Sequence, residues 1–186
     1  MAGLALLFYE TALEFTEGMA AGRLLPVVKY PAAVIMLVST SLDASINEYL
    51  AFMHMMELEP TKKSQLQELR KEKKLRRKWI RAPDVLSGVP LDRCTEPYLS
   101  FDLMLTLRNK LVHEAAGFYT PSEYPLAKID EYRKRFAFTY AGTAHWTSQV
   151  LNLECARWGC RTSKQMIETF HSLTGIKQFY PWPDAA

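Results

Sequence analysis

Glycine is scarce in this chain, with eight among 186 residues. Cysteine is scarcer still: Cys94, Cys155 and Cys160 are an odd set. Cys155 and Cys160 have no matching Cys or His pair at the spacing of a zinc site. The thiols therefore read as buried or idle in a reducing cytosol. There are no internal repeats and no strand-like alternation. The apolar run from Ala32 to Val38 is too short to span a bilayer, and Lys29, Pro31 and Asp43 flank it. Gly3 to Tyr9 is apolar, but no basic residue precedes it and Glu10 ends it, unlike a signal peptide. No glycine-rich phosphate loop is present. These absences argue against a disulfide scaffold, a zinc module, a membrane protein and a P-loop enzyme. A cytoplasmic protein with no membrane partner is the expectation.

What the chain does have is long runs rich in Leu, Ala, Met, Glu and Lys. Most of the ten prolines fall near 26–31, 83–97, 121–125 and 181–183, between those runs. With 48% hydrophobic and 12% aromatic residues, the composition is that of a globular all-α protein. The length fits a single domain over 1–186, an antiparallel helical bundle. A first helix is expected over about 3–21. A second runs from Pro31 to about Leu58, and Pro60 stops it. Thr61 caps a third, to about Arg81, with Pro83 as its stop. Residues 82–97 form a connector. A fourth helix covers about Pro97 to Ala116, before Gly117, and Pro121 and Pro125 mark a second loop. One or two helices fill 126–157, and the last covers about 162–174. A flexible tail begins near 176.

Charge is segregated. Residues 61–81 carry ten Lys/Arg and two Glu, a net of +8, in a chain whose total is +3. On a continuous helix Lys63, Arg70, Lys71, Lys74, Arg77, Lys78 and Arg81 share one face, and Leu66, Leu69, Leu75, Trp79 and Ile80 occupy the other half. A cationic face of this kind suits an RNA phosphate backbone, and it also suits plain solvation. The apolar half is needed for the core, which disfavours a membrane surface.

Arg108 lies inside an apolar helical run, Phe101 to His113. Met104, Leu105, Leu111 and Val112 cluster on one face with Arg108 in its middle. A guanidinium keeps its proton, so burying it without partners is costly. It must pair with a carboxylate inside the fold, or its face must open onto a cleft or a second subunit. Asp43 and Asn47, one turn apart in the second helix, are candidate partners. The plain alternative is a structural ion pair that fixes helix register. His54 shares their arc and reads as an ordinary surface histidine. Glu48 points elsewhere and reads as solvated. His145 and His171 show no partner pattern. Trp79, Trp146, Trp158 and Trp182 read as core.

Arg108 and His113 are about 140° and ~7.5 Å apart on a helix. A cation, an amide (Asn109) and an imidazole are suitable parts for phosphodiester chemistry. One histidine cannot easily act as base and acid in one step, but two copies across a dimer axis supply both.

Arg108-Asn109-Lys110-Leu111-Val112-His113 resembles the R-N-x-x-x-H signature of HEPN domains, which are all-α bundles. Leu42-Asp43-Ala44-Ser45-Ile46-Asn47-Glu48-Tyr49 is similar to the family's upstream ALExxINE helix, with Asp43 in place of the acidic Glu. The two segments come in the family's order, and the resemblance spans roughly residues 30–150. It implies a homodimer that cleaves RNA without metal or other cofactor, often a toxin paired with an antitoxin protein or a phage-defence factor. It further implies catalytic Arg108 and His113, an orienting Asn109, and supporting Asp43 and Asn47. A different class remains open: a non-catalytic interaction or dimerisation module using the same arc. A nucleotide-binding regulator is a third reading.

Overall fold

A 27-residue helix stands at the centre of the molecule and touches most of the others. The computed structural model describes residues 3–24, 28–113, 129–137, 146–176 and Pro183, without the side chains of His113 and Ser148. The helices are α1 (Leu4–Ala20), α2 (Lys29–Met55), α3 (Pro60–Lys71), α4 (Leu75–Ser87), α5 (Tyr98–His113), α6 (Ile129–Arg133), α7 (Trp146–Val150) and α8 (Leu153–Thr174). No strand occurs among the described residues. Among them, too, no helix is long and apolar enough to cross a membrane.

The fold is an all-helical bundle in which α2 packs on α1, α3, α4, α5 and α8. The periodicity of α2 explains its place. Val34, Ile35, Val38, Leu42, Ile46 and Leu50 recur at helical spacing and are fully buried. On α8, Cys155, Ala156, Cys160, Ile167 and Phe170 form the matching stripe. The helices meet closely at Gly159, where a Cβ would lie 2.9 Å from Ile35 Cδ1. Burial pushes the Cys160 thiol up to about 11 and the Cys155 thiol higher, so both are protonated, weakly reactive core residues. Glu48 is not simply solvated: its Oε1 accepts from Ala5 N at 3.3 Å, placing a carboxylate at the start of α1.

The expected single basic helix is two helices. Residues 72–74 break it, and Glu72 Oε1 accepts from Lys74 N at 2.9 Å across the break. The break lets Leu66 and Leu69 of α3, and Trp79 and Ala82 of α4, each reach the core from its own segment. Pro83 does not stop α4, which continues to Gly88 in the left-handed conformation at φ 75°. Pro83 forfeits one backbone hydrogen bond near the helix end, and its buried ring packs in exchange. The last helix starts earlier than expected, at Leu153, because Asn152 Oδ1 accepts from Cys155 N at 2.9 Å and caps it. The expected loop around Pro121 and Pro125 lies outside the described residues, as does most of the tail.

Trp79 joins α5 and α8 to α4, and Phe170 extends the cluster to α2. Its ring meets Phe101 of α5 at 6.1 Å and Phe170 of α8 at 5.5 Å, and Tyr49 of α2 meets Phe170 at 5.1 Å. Its Nε1 is buried with no acceptor among the described residues. Trp146 and Trp158 are also buried. His171 is half-buried: Tyr49 Oη contacts its Nε2, and its Nδ1 lies 2.8 Å from the Ile176 carbonyl. A carbonyl only accepts, so Nδ1 carries the proton and Nε2 accepts from Tyr49.

Two stability measurements test this packing. Trp79→Ala should cost about 3–5 kcal/mol in chemical denaturation, whereas Trp79→Phe should cost far less, because it removes an unsatisfied donor along with the lost volume. Burial holds the His171 pKa below its ordinary 6.5. The unfolded chain therefore takes up this proton first as pH falls. The stability present above pH 6.5 should be lost as pH drops through the lowered value, and His171→Gln should flatten that part of the pH profile.

Candidate functional site

α5 enters the core at its N-terminal end and leaves it near Arg108. Phe101, Leu103, Met104, Leu105 and Leu107 are buried, residues 108–111 are half-buried, and Val112 is exposed. Arg108 thus stands where the helix emerges. It opens onto a cleft of about 680 Å³ between α2, α5 and the start of α4. Of the alternatives the sequence left for this guanidinium, the structure shows the cleft.

Arg108 does not pair with Asp43. Its Nη1 donates to Asn109 Oδ1 at 3.0 Å, and it has no carboxylate partner among the described residues. Asp43 lines the same cleft, but its Oδ1 accepts from Asn47 Nδ2 at 3.0 Å. Asn47 Oδ1 in turn accepts from Lys78 Nζ at 2.6 Å. The structure therefore brings Asp43, Arg108 and Asn109 to one cavity, with Asn47 behind Asp43. Arg108 needs no ion pair because it lines an open cleft and is not sealed in the core.

The cationic wall differs from the expected stripe. Among the described residues, Lys73, Lys74, Arg76 and Arg77 line the cleft beside Arg108, against the single carboxylate of Asp43. Of the seven basic residues singled out on the helical wheel, only Lys74 and Arg77 are among them. Lys63, Arg70, Lys71 and Arg81 are exposed away from its lining. Lys78 does not belong to an outer face: it is 7% exposed and turned toward Asn47. The break at 72–74 changes the angular register between α3 and α4, so the wheel drawn through both misplaces it. His54 is half-buried, with Nδ1 lacking a partner among the described residues, and is not an ordinary surface histidine.

Arg76 and Lys73 were not anticipated. Arg76 Nε binds Asp102 Oδ1, and its Nη2 donates to the Asp102 carbonyl at 2.8 Å and to Thr106 Oγ1 at 2.9 Å. This clasp fixes the start of α4 on α5 beside Arg108. The available signal was Asp102 itself, a carboxylate in an apolar helix that needs a donor as much as Asp43 does. Arg77 lies 3.4 Å from Glu72, a partly exposed pair of small value. Lys73, Lys74 and Arg108 have no carboxylate partner among the described residues. Tyr98, Leu75, Ile80 and Leu105 complete the lining.

His113 is the last residue of α5, one helical turn beyond Asn109; its side chain lies outside the described residues. The lining supplies donors for an anion and one carboxylate, a poor set of ligands for Mg²⁺, which favours oxygen donors. Among the described residues no group of His, Cys, Asp and Glu is arranged to hold a metal ion. Comparison with protein families, curated proteins and solved structures finds no match to the chain.

The two adjacent cations of α4 provide a direct check. Lys78→Glu should destabilise the fold by roughly 3–5 kcal/mol, since it buries a carboxylate against the Asn47 oxygen. Arg77→Glu, at an exposed position, should leave the thermal midpoint nearly unchanged. Equal effects in a melting experiment would contradict the burial of Lys78.

Proposed function

We propose that the chain binds the RNA backbone in this cleft and cleaves it without a metal, as the HEPN resemblance implies. One observation carries the reading: Arg108, held by Asn109 and free of any carboxylate partner among the described residues, faces a cavity walled by Lys73, Lys74 and Arg77. Such a set favours an anion with several negative charges, and a phosphate backbone meets it at each step. In the reaction, the ribose 2′-oxygen attacks the adjacent phosphorus and the bond to the 5′-oxygen breaks. The 2′-hydroxyl proton passes to one imidazole, and the departing 5′-oxygen takes a proton from another. His113 of each of two copies fills these roles at a two-fold axis. Arg108 stabilises the charge gathering on the phosphoryl oxygens. A toxin or defence role, with an antitoxin protein as partner, follows from the same resemblance.

The exposed apolar Val112, at 45%, favours a second reading in which this end of α5 is a dimer or partner interface without chemistry.

In excess chelator the purified protein should cut single-stranded RNA, leaving 2′,3′-cyclic phosphate and 5′-hydroxyl ends, with DNA inert. Arg108→Ala and His113→Ala should each lower the rate by a factor on the order of 10² or more. Reversing Lys73, Lys74 and Arg77 to Glu should weaken RNA binding and flatten its salt dependence. Size measurement over a concentration series should show a dimer. A requirement for Mg²⁺, equal cutting of DNA, or a persistent monomer at micromolar concentration overturns the composite nuclease. Dimerisation without cleavage supports the interface reading.

A further inference from the structure

Asp43 is out of place in its cleft. Every other charged residue of the lining among the described residues is a cation, and a carboxylate repels the phosphate those cations attract. Its side chain is nonetheless held in a defined place. Lys78 Nζ can only donate, so the Asn47 amide must turn its oxygen to Lys78 and its nitrogen to Asp43. The buried Lys78 thereby sets the amide, and the amide steers the carboxylate. Asp43 Oδ1 is occupied, while Oδ2 has no partner among the described residues.

We infer that Asp43 accepts a hydrogen bond from a ribose 2′-hydroxyl and so makes the cleft selective for RNA over DNA at the level of binding. The inference rests on the RNA-binding reading of this cleft. A carboxylate only accepts, and a phosphodiester has no proton to give. Bases differ in their donors from one nucleotide to the next. The 2′-hydroxyl is a donor at every step of RNA, at a fixed distance from the phosphate, and it distinguishes RNA from DNA. A cleft that tracks the backbone with Lys73, Lys74 and Arg108 carries the sugar past Asp43 each time. Lys78 and Asn47 are positioning residues in this arrangement, and Asp43 touches the substrate.

The test measures binding, separately from cleavage. The chain with His113→Ala is titrated in chelator with oligouridylates of one length carrying 2′-hydroxyl, 2′-deoxy or 2′-fluoro sugars. Uracil has no exocyclic amine, so a base contact of that kind is removed from the comparison. The 2′-fluoro sugar keeps an RNA-like pucker without the donor. The 2′-hydroxyl oligomer should bind roughly ten-fold more tightly than the other two, in line with a hydrogen bond to a charged group. Adding Asp43→Ala should bring all three within about two-fold, with the deoxy and fluoro affinities unchanged or tighter as a repelling charge is lost. Asn47→Ala should narrow the gap in the same direction. A gap that survives Asp43→Ala, or no gap in the protein with Asp43 intact, overturns the role of Asp43 and leaves phosphate binding standing. If none of the oligomers binds, the RNA reading of the cleft falls, and the role of Asp43 falls with it.

Discussion

Trp79 is the largest side chain by which the most charged segment of the chain is held to the core. Residues 61–81 carry a net charge of +8, and left to themselves they gain more from water than from packing. A buried indole contacting Phe101 and Phe170 reverses that balance for α4. Fully burying an aromatic side chain contributes about 2–3 kcal/mol before edge-to-face geometry adds to it. With Trp79 fixed, the start of α4 must lie across α5, and Arg76 can close on Asp102 and Thr106. The cleft is the space left between that start, α2 and the emerging half of α5. Its cationic wall is therefore a consequence of where one tryptophan is seated.

The break at 72–74 serves the same end. A straight helix through 61–81 cannot direct Leu66, Leu69, Trp79 and Ala82 into one core without leaving gaps. Two shorter helices can, and the intervening Glu72-Lys73-Lys74 places two lysines at the mouth of the cleft. The Glu72 carboxylate satisfies a backbone donor at the turn and, through that bond first, holds its own pKa below the ordinary carboxylate value.

The long helices were legible because periodicity and proline or glycine punctuation agree: α1 and α2 begin and end within a few residues of where Gly22, Pro31 and Pro60 place them. The convergence of Asp43, Arg108 and Asn109 was also readable, since polar groups on apolar helices must face one another or water. The break at Glu72 was not. Nothing in Arg70 to Lys74 is a helix breaker, and the competing term is tertiary, the demand of two apolar pairs for the core. Lys78 was misread for the same reason, since a wheel assumes one continuous axis. The start of α8 was missed because Asn152 is a cap without proline or glycine beside it. Between an ion pair with Asp43 and an open cleft for Arg108 the sequence left the choice open, because spacing shows who shares a face and not which face stays open.

Three cations without carboxylate partners among the described residues, gathered in one cavity, carry a cost for the isolated chain. Lys73, Lys74 and Arg108 repel one another, and the carboxylate of Asp43 offsets only part of that. Neutralising substitutions at these positions would relieve the repulsion, so the fold alone gives no reason for them. The adjacent clasp shows that the same helices can satisfy a cation when stability is at stake: Arg76 receives a carboxylate, a carbonyl and a hydroxyl. One guanidinium is thus saturated and the other open, on helices that line a single cavity. An anion that enters this cleft stabilises the native state by mass action, in proportion to the logarithm of its concentration over its Kd. On the proposed reading, a bound anion offsets the repulsion among these cations, so the charge pattern of the cleft and its affinity for the anion rise and fall together.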